Sequence, residues 1–381
     1  MKVLIVPMAA MAETGGPSTR CRSLVSAFSK AGIDVATCMA EDLNYKKIEG
    51  IKNYYLSVPM PLGLPAFIAK KTFPMARKLG LTTRKSVKSF DQVLYYTGNL
   101  DHGYLKKSVS DIREAIKEFD PDVVYSEFNI SAMIAAKLEG RELFATTSYP
   151  TQHEYANEPG LAKGLNRFLR DNDLPEVESA LKLIDMADKT FCPGIEELEP
   201  IYRENIYFCG SIKNVIREDK KRDKILVYMG NGTVSPKKML NILKKSFSKS
   251  EYEVYFASNA LKSADIGNIH VAPFWDFNSM LDEAVLYINH GGQNSIVDGL
   301  IHGVPQLVIP GKIFERKYNA MSISDNNAGI FLSAHDLETE KFLITCKELI
   351  DSKEVRRHAK ELGDKFLSAG GIDIIINELN N

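Results

Sequence analysis

The 381-residue sequence predicts an α/β fold made of two open, mainly parallel sheets. Three observations support this prediction. Short apolar runs rich in β-branched residues alternate with segments of helical spacing, and the alternation starts afresh near residue 225. The chain is also long enough for two domains of ordinary size. Parallel strands joined by right-handed helical crossovers account for such an order of elements.

The first half opens with a strand whose apolar part, Val3-Leu4-Ile5-Val6, is short and runs into a glycine-containing loop. This favours a buried strand over a signal peptide. The first helix is expected to end at Ala31-Gly32, because glycine is a common helix C-terminal signal. The elements expected in this half are strands over Lys2–Pro7, Val35–Cys38 and Asp122–Tyr125, and helices over Leu24–Lys30, Val109–Phe119 and Ser131–Leu138.

The second half follows a polar, lysine-rich stretch, Lys213–Lys224, which is typical of a linker. Its first strand ends in the turn Gly230-Asn231-Gly232-Thr233, and the last segment, Val355–Asn381, has helical character. The other elements expected here are strands over Ile225–Met229, Glu253–Ala257, His270–Ala272, Leu286–Asn289 and Gln306–Ile309, and helices over Lys237–Lys245 and Ser295–Ile301.

Composition narrows the function classes. Lys and Arg number 48 against 49 Asp and Glu, so no global charge recruits nucleic acid. The five cysteines are scattered and odd in number, which favours reduced thiols in a cytoplasm. No apolar run reaches the roughly 18–20 residues of a membrane span. We therefore expect a cytoplasmic protein without a nucleic-acid partner.

Residues 46–90 differ from the rest, with ten Lys and Arg against one acid, Glu49, and interleaved apolar residues. Two interpretations stay open. The segment is either a solvated excursion or a surface for an anionic acceptor or an anionic membrane. The second interpretation predicts peripheral membrane contact.

The expected strand Leu286–Asn289 leads into His290-Gly291-Gly292-Gln293-Asn294-Ser295. Two glycines let the backbone approach an anion, and the start of the following helix offers N–H groups to it. Asp298 lies one turn on, where it can accept from ribose hydroxyls. In an open α/β sheet such sites lie beyond the carboxyl ends of the strands. The sequence therefore predicts a diphosphate site here.

Two further stretches complete a longer pattern: Gly303-Val304-Pro305-Gln306-Leu307-Val308-Ile309-Pro310 and Phe314-Glu315-Arg316-Lys317-Tyr318-Asn319-Ala320. From His290 to Ala320 the chain resembles the donor signature of the macrolide and UDP-glycosyltransferase-like, MurG-related glycosyltransferases. These have the GT-B fold, in which two Rossmann-like domains face each other across a cleft. The resemblance continues more weakly through the whole chain.

The resemblance implies donor-binding roles for this signature. Asp298, in place of the usual Glu, would hold the ribose, and Glu315 would contact the sugar hydroxyls. Arg316 stands where Gln is common, which predicts altered sugar recognition. The residues that would surround the diphosphate are His290, Gly291, Gly292, Gln293, Asn294 and Ser295.

Two more segments match the family's donor site. Phe274-Trp275 align with the stretch that stacks on the base, although packing is an equal interpretation for Trp275, and Phe277 replaces a frequent ribose-binding Gln. Gly230, Asn231, Gly232 and Thr233 match the interdomain phosphate loop, with a simple tight turn as the alternative.

The catalytic base of the family is missing. Its histidine lies in the first glycine loop, and Pro17 falls at that position. The acid that orients it is matched by Glu127, which could act as base itself if burial raised its pKa; a structural acid is the alternative. His153 and His102 are further candidates, with surface roles as alternatives. Arg20 could bind an already ionised acceptor or the donor phosphates, with a helix-start salt bridge as the alternative.

The domains implied are an acceptor-binding domain over 1–208, a nucleotide-sugar-binding domain over 209–360, and a C-terminal helix over 361–381 that crosses back. The expected activity is transfer of a sugar from a UDP-, dTDP- or GDP-sugar, UDP first, to a small-molecule acceptor or to a lipid or anionic acceptor. We expect inversion, no cofactor beyond the donor and no metal. Asp171-Asn172-Asp173 lies before Leu174-Pro175, between helical segments and with no strand leading into it, so it is interpreted as a helix-capping turn and not as a metal site.

Three alternatives to a monomeric transferase stay open at this stage. One is an inactive auxiliary partner of another transferase, since the base is missing. Another is an epimerase of the same fold. A homodimer is also compatible with the sequence.

Overall fold

The computed structural model describes residues 1–11, 15–41, 46–65, 67–69, 72, 86–213, 215–230 and 234–381. These residues form two compact units. The first contains the described residues of Met1–Leu79, together with Val87–Ile212 and Gly370–Asn381. The second contains Ser86 and the described residues of Lys213–Ala369. The chain thus changes unit between Ile212 and Lys213, beside the boundary expected after residue 208.

The first unit is built on a sheet of seven described strands, all paired in parallel, in the order β3-β2-β1-β4-β5-β6-β7. They are β1 Lys2–Pro7, β2 Asp34–Ala40, β3 Lys52–Leu56, β4 Val123–Glu127, β5 Glu142–Thr146, β6 Lys189–Cys192 and β7 Ile206–Phe208. Its first helices are α1 Gly15–Lys30, α2 Phe90–Thr97, α3 His102–Phe119, α4 Ile130–Leu138 and α5 Lys163–Arg170.

The strand order of this sheet reverses at β1. From β1 the chain moves outward on one side through β2 and β3, and then returns to the other side as β4. Val3 to Val6 of β1 are fully buried, which matches their unbroken apolar run. Ligands of open α/β sheets bind beyond the carboxyl ends of the strands at such a reversal. The ends of β1 and β4 are therefore a candidate site.

The second unit repeats this plan with the order β10-β11-β9-β8-β12-β13-β14, in which only the β10–β11 pair is antiparallel among the described strands. The strands are β8 Lys224–Tyr228, β9 Glu253–Ala257, β10 Ala264–Ile266, β11 Ile269–Ala272, β12 Ala284–Asn289, β13 Gln306–Val308 and β14 Gly329–Phe331. The helices are α6 Pro236–Phe247, α7 Phe277–Met280, α8 Gln293–Ile301, α9 Phe314–Asp325, α10 Thr339–Asp351 and α11 Lys353–Ser368. Here the order reverses between β8 and β12.

The C-terminal segment is two helices rather than one continuous stretch. Helix α11 ends at Ser368, and α12, Ile372–Asn380, follows Gly370 and Gly371, which both have positive φ. Glycine adopts that conformation without a Cβ penalty, so the pair ends one helix and redirects the chain. The buried Ile375 of α12 joins the core of the first unit, and Lys189 Nζ lies 2.9 Å from Glu378 Oε2.

The five cysteines are all buried and unpaired. Burial raises the pKa of the Cys21 and Cys38 thiols, which disfavours reactive thiolates at these positions. Within the described ranges, no helix combines the length and apolar character needed to cross a membrane.

Candidate functional site

The carboxyl edge of the second sheet gathers most of the residues predicted to bind the donor. Strands β8, β9, β11 and β12 run parallel, so their carboxyl ends meet at one edge. The turn at Gly230 follows β8, Phe274-Trp275 follow β11, and the loop His290–Gly292 follows β12. Asn231, Gly232 and Thr233 lie outside the described residues. The loop after β12 therefore lies at the strand-order reversal.

Gly291 can only be glycine in this loop. Its φ is +82°, and a Cβ atom would lie 2.7 Å from the carbonyl oxygen of Arg316. Its N–H donates to Asn289 Oδ1 at 2.9 Å, and its carbonyl accepts from Asn319 Nδ2 at 2.9 Å. Two asparagine side chains, one ending β12 and one on α9, thus fix the backbone of the loop.

Helix α8 starts without a side-chain cap. Its N-cap residue is Gly292, so the first-turn N–H groups receive no capping side chain from that position. Asn294 is exposed in this turn, whereas Ser295 is buried and hydrogen-bonds with the hydroxyl of Tyr287. An uncapped helix N-terminus offers backbone donors and a positive dipole end to an anion.

The imidazole of His290 lies in this loop and is only 8% exposed. Burial, with the charge of Arg316 as a second cause, lowers the pKa of His290 to about 4, so the ring is neutral at pH 7. Its Nδ1 lies 3.4 Å from the carbonyl oxygen of Tyr228, and the Tyr228 ring packs edge-on against it. If Nδ1 carries the hydrogen, Nε2 is left as an acceptor, beside the places where a Cβ atom on Gly230 or Gly292 would stand.

Arg316 contributes a cation beside this neutral histidine. The residue is half-buried on the first turn of α9, and burial lowers the pKa of its guanidinium while Glu315 opposes that effect. A guanidinium binds phosphate and carboxylate oxygens through a planar fork, which a glutamine at this position would not provide. Arg316 is therefore a charged donor group beside the loop.

Asp298 is engaged by a lysine. Lys213 Nζ lies 2.7 Å and 2.9 Å from its two carboxylate oxygens. The sequence predicted that Asp298 would accept from ribose hydroxyls. In this structure both oxygens are occupied by Lys213, so ribose binding requires this pair to open or the ribose to share the carboxylate.

The two aromatic residues after β11 have different surroundings. The side chain of Phe274 is 76% exposed. Trp275 packs edge-on against Tyr255 of β9, with ring centroids 5.1 Å apart, and its buried Nε1 has no hydrogen-bond partner among the described residues. Phe277 contacts Tyr228 and Tyr287. Packing accounts for Trp275 and Phe277, and Phe274 alone of the three presents an open ring face.

At the reversal of the first sheet, Arg20 and Glu127 form an ion pair. Arg20 Nε, on α1, lies 2.5 Å from Oε1 of Glu127 at the end of β4. Oε2 of Glu127 accepts from the Thr146 hydroxyl, which is 2.9 Å from the Tyr125 hydroxyl. Glu127 is fully buried, so both carboxylate oxygens are engaged away from solvent. This geometry supports a positioning role for Glu127 rather than removal of an acceptor proton.

Phe128 follows Glu127 with a φ of +59°, which is rare for a bulky residue. Its ring lies 5.3 Å from the guanidinium carbon of Arg20 and packs edge-on against Phe90. Strained backbone of this kind persists where the surroundings hold it, and it is common at functional sites. The strain directs the Phe128 ring against Arg20.

The candidate histidines of the first unit are paired elsewhere. His102 Nε2 lies 2.7 Å from Asp171 Oδ2, the residue that ends α5. Nδ1 of His153 lies 2.7 Å from Oε1 of its neighbour Glu154. In the described part of the chain, neither histidine forms a hydrogen bond or ion pair with Arg20 or Glu127. Among the described residues, no group of three or more His, Cys, Asp or Glu side chains is arranged to hold a metal ion.

Part of the basic segment 46–90 lies outside the described residues, namely residues 66, 70–71 and 73–85. In the described part, Leu62, Leu64, Phe67 and Ile68 are exposed. Lys52 pairs with Glu118 at 2.6 Å on the surface. The predicted membrane contact through this segment stays a prediction.

Several residues that shape these sites were not singled out from the sequence. Asn289 ends a buried strand, where an amide side chain is unusual. Its position could therefore have indicated that it holds the following loop. Asn319 belongs to the Asn-Ala part of the donor signature. The partners Lys213 and Phe128 had no signal in the sequence, because their importance depends on contacts with residues far along the chain.

Known proteins resemble the chain over different stretches. Residues 254–380 match the family described as Erythromycin biosynthesis protein CIII-like, C-terminal domain. The UDP-N-acetylglucosamine–N-acetylmuramyl-(pentapeptide) pyrophosphoryl-undecaprenol N-acetylglucosamine transferase of Limosilactobacillus reuteri is 23% identical over 296 residues, covering 72% of this chain and 76% of that protein. UDP-glucuronosyltransferase 3A2 of Mus musculus is 32% identical over 100 residues, which are 24% of this chain but only 19% of the mouse protein.

The likeness of fold extends over the whole chain. The solved structure of the kitacinnamycin glycosyltransferase superposes with a TM-score of 0.74 at 16% identity, covering 100% of this chain and 98% of the other. At that identity the likeness shows the fold alone. The matched C-terminal region contains the loop His290–Gly292 and the start of α9. The chain therefore has the fold of this solved glycosyltransferase, and its residues 254–380 are similar to the Erythromycin biosynthesis protein CIII-like family.

Proposed function

We propose that the chain transfers a glycosyl group from a nucleoside-diphosphate sugar to a small-molecule or lipid acceptor. The observation that carries this proposal is the loop after β12, where Gly291 is held by Asn289 and Asn319 at the strand-order reversal. UDP is the first nucleotide to test, because both relatives described above are named for UDP-sugars. GDP and dTDP are the alternatives.

The donor site has the groups that a leaving diphosphate requires. The uncapped start of α8 supplies backbone donors, and Arg316 supplies a fixed cation. Both act on the negative charge that grows as the bond from the anomeric carbon to the diphosphate breaks. Phe274 would stack on the base, while Glu315 would contact the sugar. We propose an in-line displacement with inversion. The start of α8 and Arg316 would stabilise the charge of the leaving diphosphate, a role that a metal ion has in other enzymes.

A second candidate function rests on Pro17. Because proline cannot accept a proton and Glu127 is engaged by Arg20 and Thr146, a non-catalytic partner of another transferase is the alternative.

The proposal also covers location and assembly. We propose that the protein is located in the cytoplasm and contacts the membrane through residues 46–90, and a homodimer is an option.

A screen for nucleotide binding followed by turnover tests the proposal. The melting temperature of the full chain is measured with UDP, dTDP and GDP and with their glucose, N-acetylglucosamine and glucuronate conjugates. A ligand that binds the folded state raises that temperature. The stabilising donor is then incubated with the protein, and release of the nucleoside diphosphate is followed by chromatography. Release above the rate of a Gly291→Ala variant supports a transferase, whereas binding without any release supports the auxiliary role.

A further inference from the structure

The strand-order reversal of the first unit holds a second built site. Arg20 of α1 and Glu127 of β4 meet there, beside the strained Phe128. Glu127 is buried and has both oxygens engaged, and Pro17 has no proton-accepting group. The site therefore presents no free base among these residues, but it presents a cation.

The guanidinium of Arg20 is held on two sides. Its Nε is fixed by Glu127, and its face lies against the ring of Phe128. The side chain is 12% exposed. Its terminal nitrogens have no hydrogen-bond partner among the described residues, and they lie toward Gly16, where a Cβ atom would be 3.7 Å from Nη2 and 3.9 Å from Nη1. An arginine anchored through Nε keeps its planar fork of two terminal nitrogens for another partner.

Such a fork matches the two oxygens of a carboxylate or a phosphate. Two further features favour an anion at the same place. The fork lies next to the first turn of α1, a helix of 16 residues whose dipole is positive at that end. A neutral ligand would gain little from the cation, and Gly16 places no side chain beside it.

We infer that the acceptor carries a carboxylate or a phosphate, that Arg20 binds this anion, and that one of its oxygens is the nucleophile. This inference rests on the proposed transferase function. The oxygen forms a bond to the anomeric carbon, and the bond from that carbon to the diphosphate oxygen breaks with its electron pair. The products are a glycosyl ester or glycosyl phosphate and the nucleoside diphosphate. No proton has to be removed, which accounts for proline at the position of the family's base.

The first test measures acceptor binding without donor. Benzoate, phenyl phosphate and benzyl alcohol are titrated into the full chain by saturation-transfer difference NMR. We expect at least one of the two anions to bind tenfold more tightly than benzyl alcohol, and the better anion identifies the chemistry. Equal binding of all three probes, or no binding of either anion, overturns the inference.

Variants test whether Arg20 causes the preference for anions over benzyl alcohol. Arg20→Leu alone leaves Glu127 buried without its partner and is prone to unfolding, so the decisive variant is Arg20→Leu/Glu127→Leu, which removes both charges. Its folding is checked by circular dichroism. It is expected to lose the preference for anions, and Arg20→Lys to retain part of it. The control Lys30→Gln, at the exposed end of the same helix, is expected to keep the preference. A preference that survives in the double variant also overturns the inference.

The nucleophile is tested with 4-hydroxybenzoate, which carries a carboxylate and a phenol. A product cleaved by mild alkali is a glycosyl ester and supports the inference, whereas an alkali-stable phenolic glycoside contradicts it. If the anions bind through Arg20 and no nucleoside diphosphate binds the chain, the proposed function fails while the anion site stands. The two failures are therefore distinguishable.

Discussion

Nε of Arg20 lies 2.5 Å from Oε1 of Glu127, although 107 residues separate them in the chain. The pair joins the first helix to the end of β4, where the strand order reverses. Because Glu127 is fully buried, its charge depends on this partner for compensation. By the resemblance, Glu127 corresponds to the acid that orients the catalytic histidine. In this chain the same carboxylate is instead paired with Arg20.

The first prediction concerns the stability of this pair. Arg20→Leu is expected to lower the free energy of unfolding by about 3–5 kcal/mol, because it leaves a buried carboxylate uncompensated. Arg20→Leu/Glu127→Leu should recover most of that loss. The matched control is the exposed pair Lys52–Glu118, whose removal is expected to cost far less, because exposed ion pairs contribute little to stability. Urea denaturation measures all four proteins, and equal losses for the single and double variants would contradict the prediction.

The second prediction concerns the pH dependence of stability. The pKa of His290 is lowered to about 4 in the folded protein, below its ordinary value of 6.5. The unfolded chain therefore takes up a proton first as the pH falls. The contribution of the neutral ring is fully present above pH 6.5 and is lost between pH 6.5 and about 4, reaching roughly 3 kcal/mol.

The measurement for this prediction is the free energy of unfolding of wild type and His290→Gln from pH 4.5 to 7.5. The wild type is expected to lose stability relative to the variant as the pH falls below 6.5. His335→Gln, at an exposed histidine, serves as the control. Parallel profiles of wild type and His290→Gln would show that His290 is not the group responsible.

The third prediction concerns two separate costs of replacing a glycine by alanine: steric contact of the new Cβ atom and an unfavourable positive φ. Gly291 and Gly267 both have positive φ, but a Cβ at Gly291 meets the Arg316 carbonyl, whereas one at Gly267 meets nothing within 4 Å. Gly267→Ala is expected to cost about 1–2 kcal/mol. Gly291→Ala should cost at least about 1–3 kcal/mol more, because backbone has to move. Thermal denaturation compares the two variants, and a smaller loss for Gly291→Ala would contradict the account of the loop.

The fourth prediction assigns different roles to adjacent aromatic residues. Phe274→Ala is expected to weaken binding of the nucleoside diphosphate by at least about 1 kcal/mol, the low end for an aromatic residue stacked on a base, while leaving the melting temperature unchanged. Trp275→Ala should lower the melting temperature, because Trp275 packs against Tyr255. Tyr202→Ala removes an exposed ring of the first unit and is the control. Unchanged affinity in Phe274→Ala would exclude it from the base site.

The sequence predicted β1 well because its apolar run is short, β-branched and buried, but β3, β5, β6, β7, β10 and β14 were missed. Lys2–Pro7 and Glu253–Ala257 have the predicted bounds. The helix expected at Leu24–Lys30 begins earlier, at Gly15, since its first turns are polar and show no apolar period. The break at Gly370-Gly371 was missed, although paired glycines are a helix-ending signal.

The donor loop could be recognised from the sequence because its residues are consecutive. Its electrostatics could not be predicted in the same way. The neutral state of His290 depends on burial and on Arg316. The pairing of Asp298 with Lys213 spans 85 residues. The contact between Arg20 and Glu127 likewise depends on the strand order, which places β4 beside β1.

The central claim is that the loop His290–Gly292 and the start of α8 bind the diphosphate of the donor. Isothermal titration calorimetry of UDP, dTDP and GDP against wild type, His290→Ala and Asn294→Ala tests it most directly, with the exposed Lys317→Gln of α9 as control. We expect at least one nucleotide to bind wild type and Lys317→Gln equally, and both alanine variants to raise its Kd about tenfold or more, the equivalent of about 1.4 kcal/mol. Failure of all three nucleotides to bind wild type, or unchanged Kd in both alanine variants, would contradict the claim.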